Sequence, residues 1–235
     1  TTGNNTAVGA NALAALTSAA QNSAVGQDSL TANTGADNSA VGAYALVANT
    51  TASHNTAFGK SALAANTTGG QNTAVGSLAV DANTTGHRNT AVGQEALTKN
   101  TTGDNNTSIG HYSMGSNTSG VGNVAVGMYA LDANTTANYN TAIGYQSLSA
   151  STTASALVAV GYNALAANTT GTNNTAVGYE ALDACTTGAQ NEAFGRSALT
   201  GLTTGGDNVA IGYYAGAACN SSANTLLGYT AGSSV

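Results

Sequence analysis

The sequence predicts an all-β fold, a parallel β-solenoid (β-roll) of fourteen coils with a 16- or 17-residue repeat. Three observations predict it. The pattern N-T-A-V-G-x-x-A-L-x-A-N-T-T-G-x-x recurs from Asn5, Asn22, Asn38, Asn55, Asn72, Asn89, Asn106, Asn123, Asn140, Leu157, Asn174, Asn191, Asn208 and Asn224. Its fifth residue is glycine in every copy, from Gly9 and Gly26 to Gly212 and Gly228. The chain has no proline to interrupt a ladder of hydrogen-bonded strands. So short a period leaves nothing over for a separate globular core, and each unit buries its apolar side only by stacking on its neighbours. Residues 1–235 therefore read as one repeat array without caps.

Numbering each repeat from its first Asn, positions 1 to 4 form the predicted strand. Position 4 holds Val8, Val25, Val41, Phe58, Val75, Val92, Ile109, Val126, Ile143, Val160, Val177, Phe194, Ile211 and Leu227. It is never polar and mostly β-branched, so it is expected to be core. The glycine at position 5 ends the strand, either because φ is positive there or because a neighbouring coil leaves no room for Cβ. A phosphate-cradling loop would need a lysine together with a following helix, and no copy combines the two.

A second short segment is expected at positions 8 to 11. Position 9 is mostly Leu, as in Leu30, Leu63 and Leu182, and makes a second core column. It becomes Gly216 and Gly232 in the last two copies, where packing is expected to loosen or change. Positions 3, 8 and 11 are nearly all Ala or Ser, which lets stacked coils come close. Position 12 is usually Asn but elsewhere Leu16, Cys185, Leu202, Cys219 or Val235. Apolar replacements imply an inward side chain, and stacked inward amides satisfy one another along the axis. Seven of these asparagines match the N-glycosylation acceptor pattern, but an inward column closes those sites. A T-T-G turn completes the coil. At a rise of roughly 4.8 Å per coil, fourteen coils make a rod of about 65–70 Å.

Composition narrows the function classes. Charged residues are 6% of the chain, so its polar surface is built from Thr, Asn, Ser and Gln. Four basic residues against ten acidic ones give nothing that attracts nucleic acid or an anionic membrane. No apolar run has the length of about 20 residues that spans a bilayer. Periodic apolar columns argue against disorder.

No catalytic, cofactor-binding or metal site is read from the chain, and the expectation is a non-enzyme. His54, His87 and His111 fall on different coils with no second ligand at usable spacing. Asp81, Asp132 and Asp183 share position 10 but lie three coils apart, too far for paired carboxylate chemistry. Cys185 and Cys219 sit two coils apart, about 9–10 Å in a stack, beyond disulfide reach. They read as small buried replacements for Asn. One column is asymmetric. Position 6 is mixed in the first half and becomes Tyr145, Tyr162, Tyr179, Arg196, Tyr213 and Tyr229 in the second. These tyrosines form either a surface that stacks on sugar rings or another chain, or a ladder that shields a turn.

The termini are in phase. Placing Val235 before Thr1-Thr2-Gly3-Asn4 completes one repeat of the fourteenth unit that begins at Asn224. Either the chain is an excerpt of a longer array, or copies stack head to tail at this junction into a filament.

The N-T-A-V-G element, as at Asn5 to Gly9 and Asn174 to Gly178, resembles the N-S-V-A-I-G repeat of trimeric autotransporter adhesin heads, and related phage tail-fibre repeats. The resemblance covers all fourteen copies. It implies a left-handed parallel β-roll, a homotrimer, display at the cell surface or on a virion fibre, and attachment, with surface glycans among the partners. The functional expectation is thus a structural and adhesive extracellular fibre with no membrane span. Two alternatives stand beside it: a receptor-binding phage tail-fibre shaft, and an ice-binding solenoid using threonines such as Thr50, Thr51, Thr67, Thr68, Thr84 and Thr85.

Overall fold

The computed structural model describes residues 3–233 and is all-β, with no helix among the described residues. It divides into two compact units, Thr1–Val121 and Gly122–Val235. The first contains β1 (Thr6–Val8), β2 (Ser23–Val25), β3 (Ser39–Val41), β4 (Thr56–Phe58), β5 (Thr73–Val75), β6 (Thr90–Val92) and β7 (Thr107–Ile109). The second contains β8 (Val124–Val126), β9 (Thr141–Ile143), β10 (Val158–Val160), β11 (Thr175–Val177), β12 (Glu192–Phe194), β13 (Val209–Ile211) and β14 (Thr225–Leu227). Within each unit, consecutive strands pair in parallel, position against position: Ala57 opposite Ala74, and Ala193 opposite Ala210. Each unit is therefore the β-solenoid expected from the repeat.

The strand is shorter than expected, positions 2 to 4, and this decides which columns are core. Side chains alternate across a strand, so positions 2 and 4 share one face and position 3 the other. Position 3 points inward. Ala24, Ala57, Ala91, Ala142, Ala176 and Ala210 are fully buried. Position 4, expected as core, points outward: Phe58 is 44% exposed, Phe194 40% and Val75 39%. The interior is built instead from alanines at positions 3 and 8, the position-9 Leu column and the two Asn columns. In the seventh repeat both alanine positions are serine, and they pair, Ser108 Oγ donating to the Ser113 carbonyl at 2.8 Å.

Positions 8 to 11 form a turn rather than a second strand. Positions 7, 9 and 17 adopt left-handed backbone conformation although they carry side chains: Ser61 (φ 56°), Leu63 (53°) and Gln71 (62°) in one coil, Glu180 (53°), Leu182 (53°) and Gln190 (60°) in another. That conformation costs about 1–2 kcal/mol per residue. It also aims each N–H along the stack. Ser61 donates to Ala43 O, Leu63 to Ala79 O and Gln71 to Ser53 O at 2.9–3.2 Å, and Glu180, Leu182 and Gln190 do the same with their neighbouring coils at 2.8–3.0 Å. Bonds between coils offset the local strain.

The invariant glycine answers to both expected causes. At Gly127 φ is 134°, and a Cβ would stand 2.5 Å from the Gly144 carbonyl oxygen. In the last coil Gly228 keeps φ at 123° but has nothing within 4 Å of that point. The position-9 glycines do not leave a void. Leu226 stands in the alanine column, and its methyls come within 2.8 Å of where a Gly216 Cβ would be and 2.6 Å at Gly232. A large residue at position 3 and a small one at position 9 have exchanged volumes.

Candidate functional site

The inward amides form the predicted ladder, and its two columns share one task. In the first unit the position-12 side chains run continuously. Asn49 Nδ2 donates to Asn33 Oδ1 at 2.7 Å, Asn66 to Asn49 at 2.8 Å, Asn83 to Asn66 at 2.7 Å, Asn100 to Asn83 at 3.0 Å and Asn117 to Asn100 at 2.9 Å. Each also reaches the position-15 carbonyl of its own coil, as Asn66 does to Gly69 O at 2.9 Å. Position-1 asparagines reach the same carbonyl from the other side, Asn55 Nδ2 to Gly69 O at 3.0 Å, and accept the next coil's backbone N–H. Every position-12 sequon asparagine is buried.

The second unit departs from this. Position 12 there reads Asn134, Ser151, Asn168, Cys185, Leu202 and Cys219, so adjacent amides are missing. The Asn168 Oδ1 and Ser151 Oγ atoms are buried without a hydrogen-bond partner. The loss is tolerated because the columns cover for each other. Where position 12 is Leu202, Asn191 holds Gly205 O at 3.0 Å, and where position 1 is Leu157, Asn168 holds Gly171 O at 3.0 Å. No repeat lacks both asparagines. That complementarity is visible in the sequence once the columns are read together.

The outer face is formed by positions 2 and 4. In the first unit it presents Thr6, Ser23, Ser39, Thr56, Thr73, Thr90 and Thr107 beside the Val/Phe/Ile column, and none of these residues is charged. In the second it presents Val124, Thr141, Val158, Thr175, Glu192, Val209 and Thr225 beside its own apolar column.

Beyond the glycine, position 6 of the second unit forms a ring stack. Tyr145 and Tyr162 have centroids 5.5 Å apart, Tyr162 and Tyr179 5.0 Å, and Tyr213 and Tyr229 5.1 Å, all near parallel. Arg196 fills the gap, its guanidinium 5.2 Å from the Tyr179 centroid and 5.7 Å from that of Tyr213. The ring faces are turned toward each other, so this column offers edges and hydroxyls rather than open faces. Partial desolvation and the adjacent Glu180 carboxylate hold the Tyr179 phenol above its ordinary value.

The remaining chemistry-bearing residues do not converge. His87 Nδ1 accepts the Gly70 N–H at 2.9 Å, which ties one coil to the next, and exposed His54 lies 3.8 Å from Asp37. Asp81 and Asp183 accept short bonds from Thr98 and Thr200, both at 2.6 Å. Asp132 has one buried oxygen without a partner, and burial raises its pKa against the pull of backbone N–H groups. Cys185 and Cys219 are free and buried, and burial raises the Cys185 thiol. Among the described residues there is no group of three or more potential metal ligands and no pocket. No helix of these residues is long and apolar enough to cross a membrane.

Of the junction residues, Gly3 and Asn4 are exposed, and Asn224 is engaged with Asn208 Oδ1 at 2.8 Å. Thr1, Thr2 and Val235 lie outside the described residues. Comparison with family models, curated proteins and solved structures gives no match.

Proposed function

We propose that the chain is a structural and adhesive segment of an extracellular fibre, whose copies associate side by side through the outer strand face. The observation that carries this reading is the position-4 column. In each unit it is a continuous apolar row, Val, Phe and Ile in the first and Val, Ile, Phe and Leu in the second, exposed or half-buried throughout, although an inward alanine column would have allowed a polar residue outside. Contiguous exposed apolar surface of this kind marks an interaction site. Hydrogen-bonded coils suit a load-bearing shaft.

The position-13 threonines favour this reading over ice binding. Thr50, Thr67 and Thr84 donate their hydroxyls to the next coil's carbonyl at 2.9–3.0 Å, which commits them to holding the stack. Electron microscopy tests the proposal. Rods several copies wide are expected, and isolated single-chain particles at high concentration would overturn it. A thermal hysteresis assay is expected to show no arrest of ice growth.

A further inference from the structure

Along each coil of the second unit, the outward position-4 residue has position 2 before it and, past the glycine, position 6 after it. Only their charged residues coincide in one coil. The three valines at position 2, Val124, Val158 and Val209, share their coils with Met128, Tyr162 and Tyr213. Glu192, the one acid at position 2, shares its coil with Arg196, the one Lys or Arg of this unit. Threonine, with a hydroxyl and a methyl, accompanies Tyr145, Tyr179 and Tyr229.

No salt bridge among the described residues explains the charged pair. Neither Glu192 nor Arg196 has an opposite charge within 4.0 Å among the described residues. Arg196 has its faces covered by Tyr179 and Tyr213, which leaves the in-plane N–H donors as its means of recognition, the edge that fits a carboxylate. Glu192 is half-buried and flanks the exposed ring of Phe194.

Rotation supplies the missing partner. When identical strand faces meet about an axis parallel to the stack, the position-2 edge of one copy meets the position-6 edge of the next, at the same height. We infer that copies associate parallel and in register, with Glu192 of one copy paired with Arg196 of its neighbour. This rests on the side-by-side reading above and adds the direction and axial register of the contact.

A slip of one coil would set Glu192 against Tyr179 or Tyr213 and leave its charge unpaired in an apolar contact, which is strongly penalised. The pair thus selects register more than it adds affinity, as single polar core positions do in coiled coils.

Sedimentation equilibrium of the full chain tests the inference, with far-UV circular dichroism as the check on folding. Glu192→Arg and Arg196→Glu are each expected to raise the dissociation constant about tenfold or more, and the double reversal to return it to within about threefold of the parent. Oxidative cross-linking reads register directly. Mixed Thr141→Cys and Tyr145→Cys chains, matched in coil, are expected to cross-link, and mixed Thr175→Cys and Tyr145→Cys chains are not. The native Cys185 and Cys219 are buried and stay in place. Unchanged association in both single reversals, or equal cross-linking of matched and mismatched chains, overturns the register while side-by-side association stands. A parent chain that is monomeric at every concentration overturns both.

Discussion

The two units share a backbone and differ in what fills and covers it. The first has an unbroken column of six position-12 asparagines, from Asn33 to Asn117, beneath a face of threonine, serine and apolar residues. The second replaces several of those amides with Ser151, Cys185, Leu202 and Cys219, and carries the tyrosine stack and the Glu192–Arg196 coil outside. The parallel pairing is the same in both, and so are the positive-φ positions. Backbone bonds between coils therefore define the fold. The amide ladder is an interior choice that can be interrupted where the other column's amide holds the turn carbonyl; in the thirteenth repeat Asn208 turns to Gly206 O and only the Cys219 thiol approaches Ser221 O, at 3.9 Å.

The largest expected effect breaks the intact ladder. Asn66→Asp removes the donor to Asn49 Oδ1 and Gly69 O and sets a carboxylate where neither neighbour is a cation. It should cost about 3–5 kcal/mol, as other unpaired buried charges do. Thermal unfolding measures the loss, and hydrogen exchange should localise it to the first unit.

Next comes the glycine column, which both units share. Gly127→Ala meets both a φ of 134° and the Gly144 carbonyl, and should cost about 3 kcal/mol or more. Gly228→Ala meets only the φ of 123° and should cost about 1–2 kcal/mol. Equal melting temperatures for the two variants would show that coil-to-coil crowding is unimportant.

Smaller effects test the mutual cover of the two columns. Asn168→Leu removes the amide that holds Gly171 O in a coil whose position 1 is already Leu157, so it should cost about 1–3 kcal/mol. Adding Leu157→Asn should recover at least half of that loss. A double-mutant cycle with no coupling would remove the idea of a shared carbonyl.

The smallest concerns Asp132. Asp81 and Asp183 have a threonine donor, whereas Asp132 leaves one oxygen unpartnered, and burial raises its pKa. A carboxyl raised on folding contributes stability that is complete below its unfolded pKa and is lost as pH rises through the folded value. Asp132→Asn should therefore stabilise the protein at neutral pH by roughly a few tenths of a kcal/mol after solvent screening. The gain should vanish in acid, as denaturation at two pH values would show.

Period, parallel stacking, the inward amides and the double role of glycine were legible because each is a column property that fourteen repeats display at once. Position 4 faces outward against expectation, since a never-polar β-branched column ordinarily marks a core. The correcting signal was parity: inward Asn at position 1 places alanine inward at position 3 and turns position 4 out. The turn at positions 8 to 11 is hidden in the sequence because Leu63 and Leu182 are not residues that advertise left-handed backbone. Their conformation follows from bonds to adjacent coils, which no single repeat contains. Leu226 was legible as the one leucine in an alanine column, opposite glycines in a leucine column.

The chain has two phenylalanines, and each unit has one of them at position 4, Phe58 and Phe194. Fluorine NMR of fluorophenylalanine-labelled protein therefore gives one reporter per unit on the surface proposed to join copies. In dilute solution both resonances should show a solvent-isotope shift, as exposed rings do. On concentration into the associated state both should lose it. Isotope shifts that persist unchanged in assembled rods would contradict side-by-side association through this face.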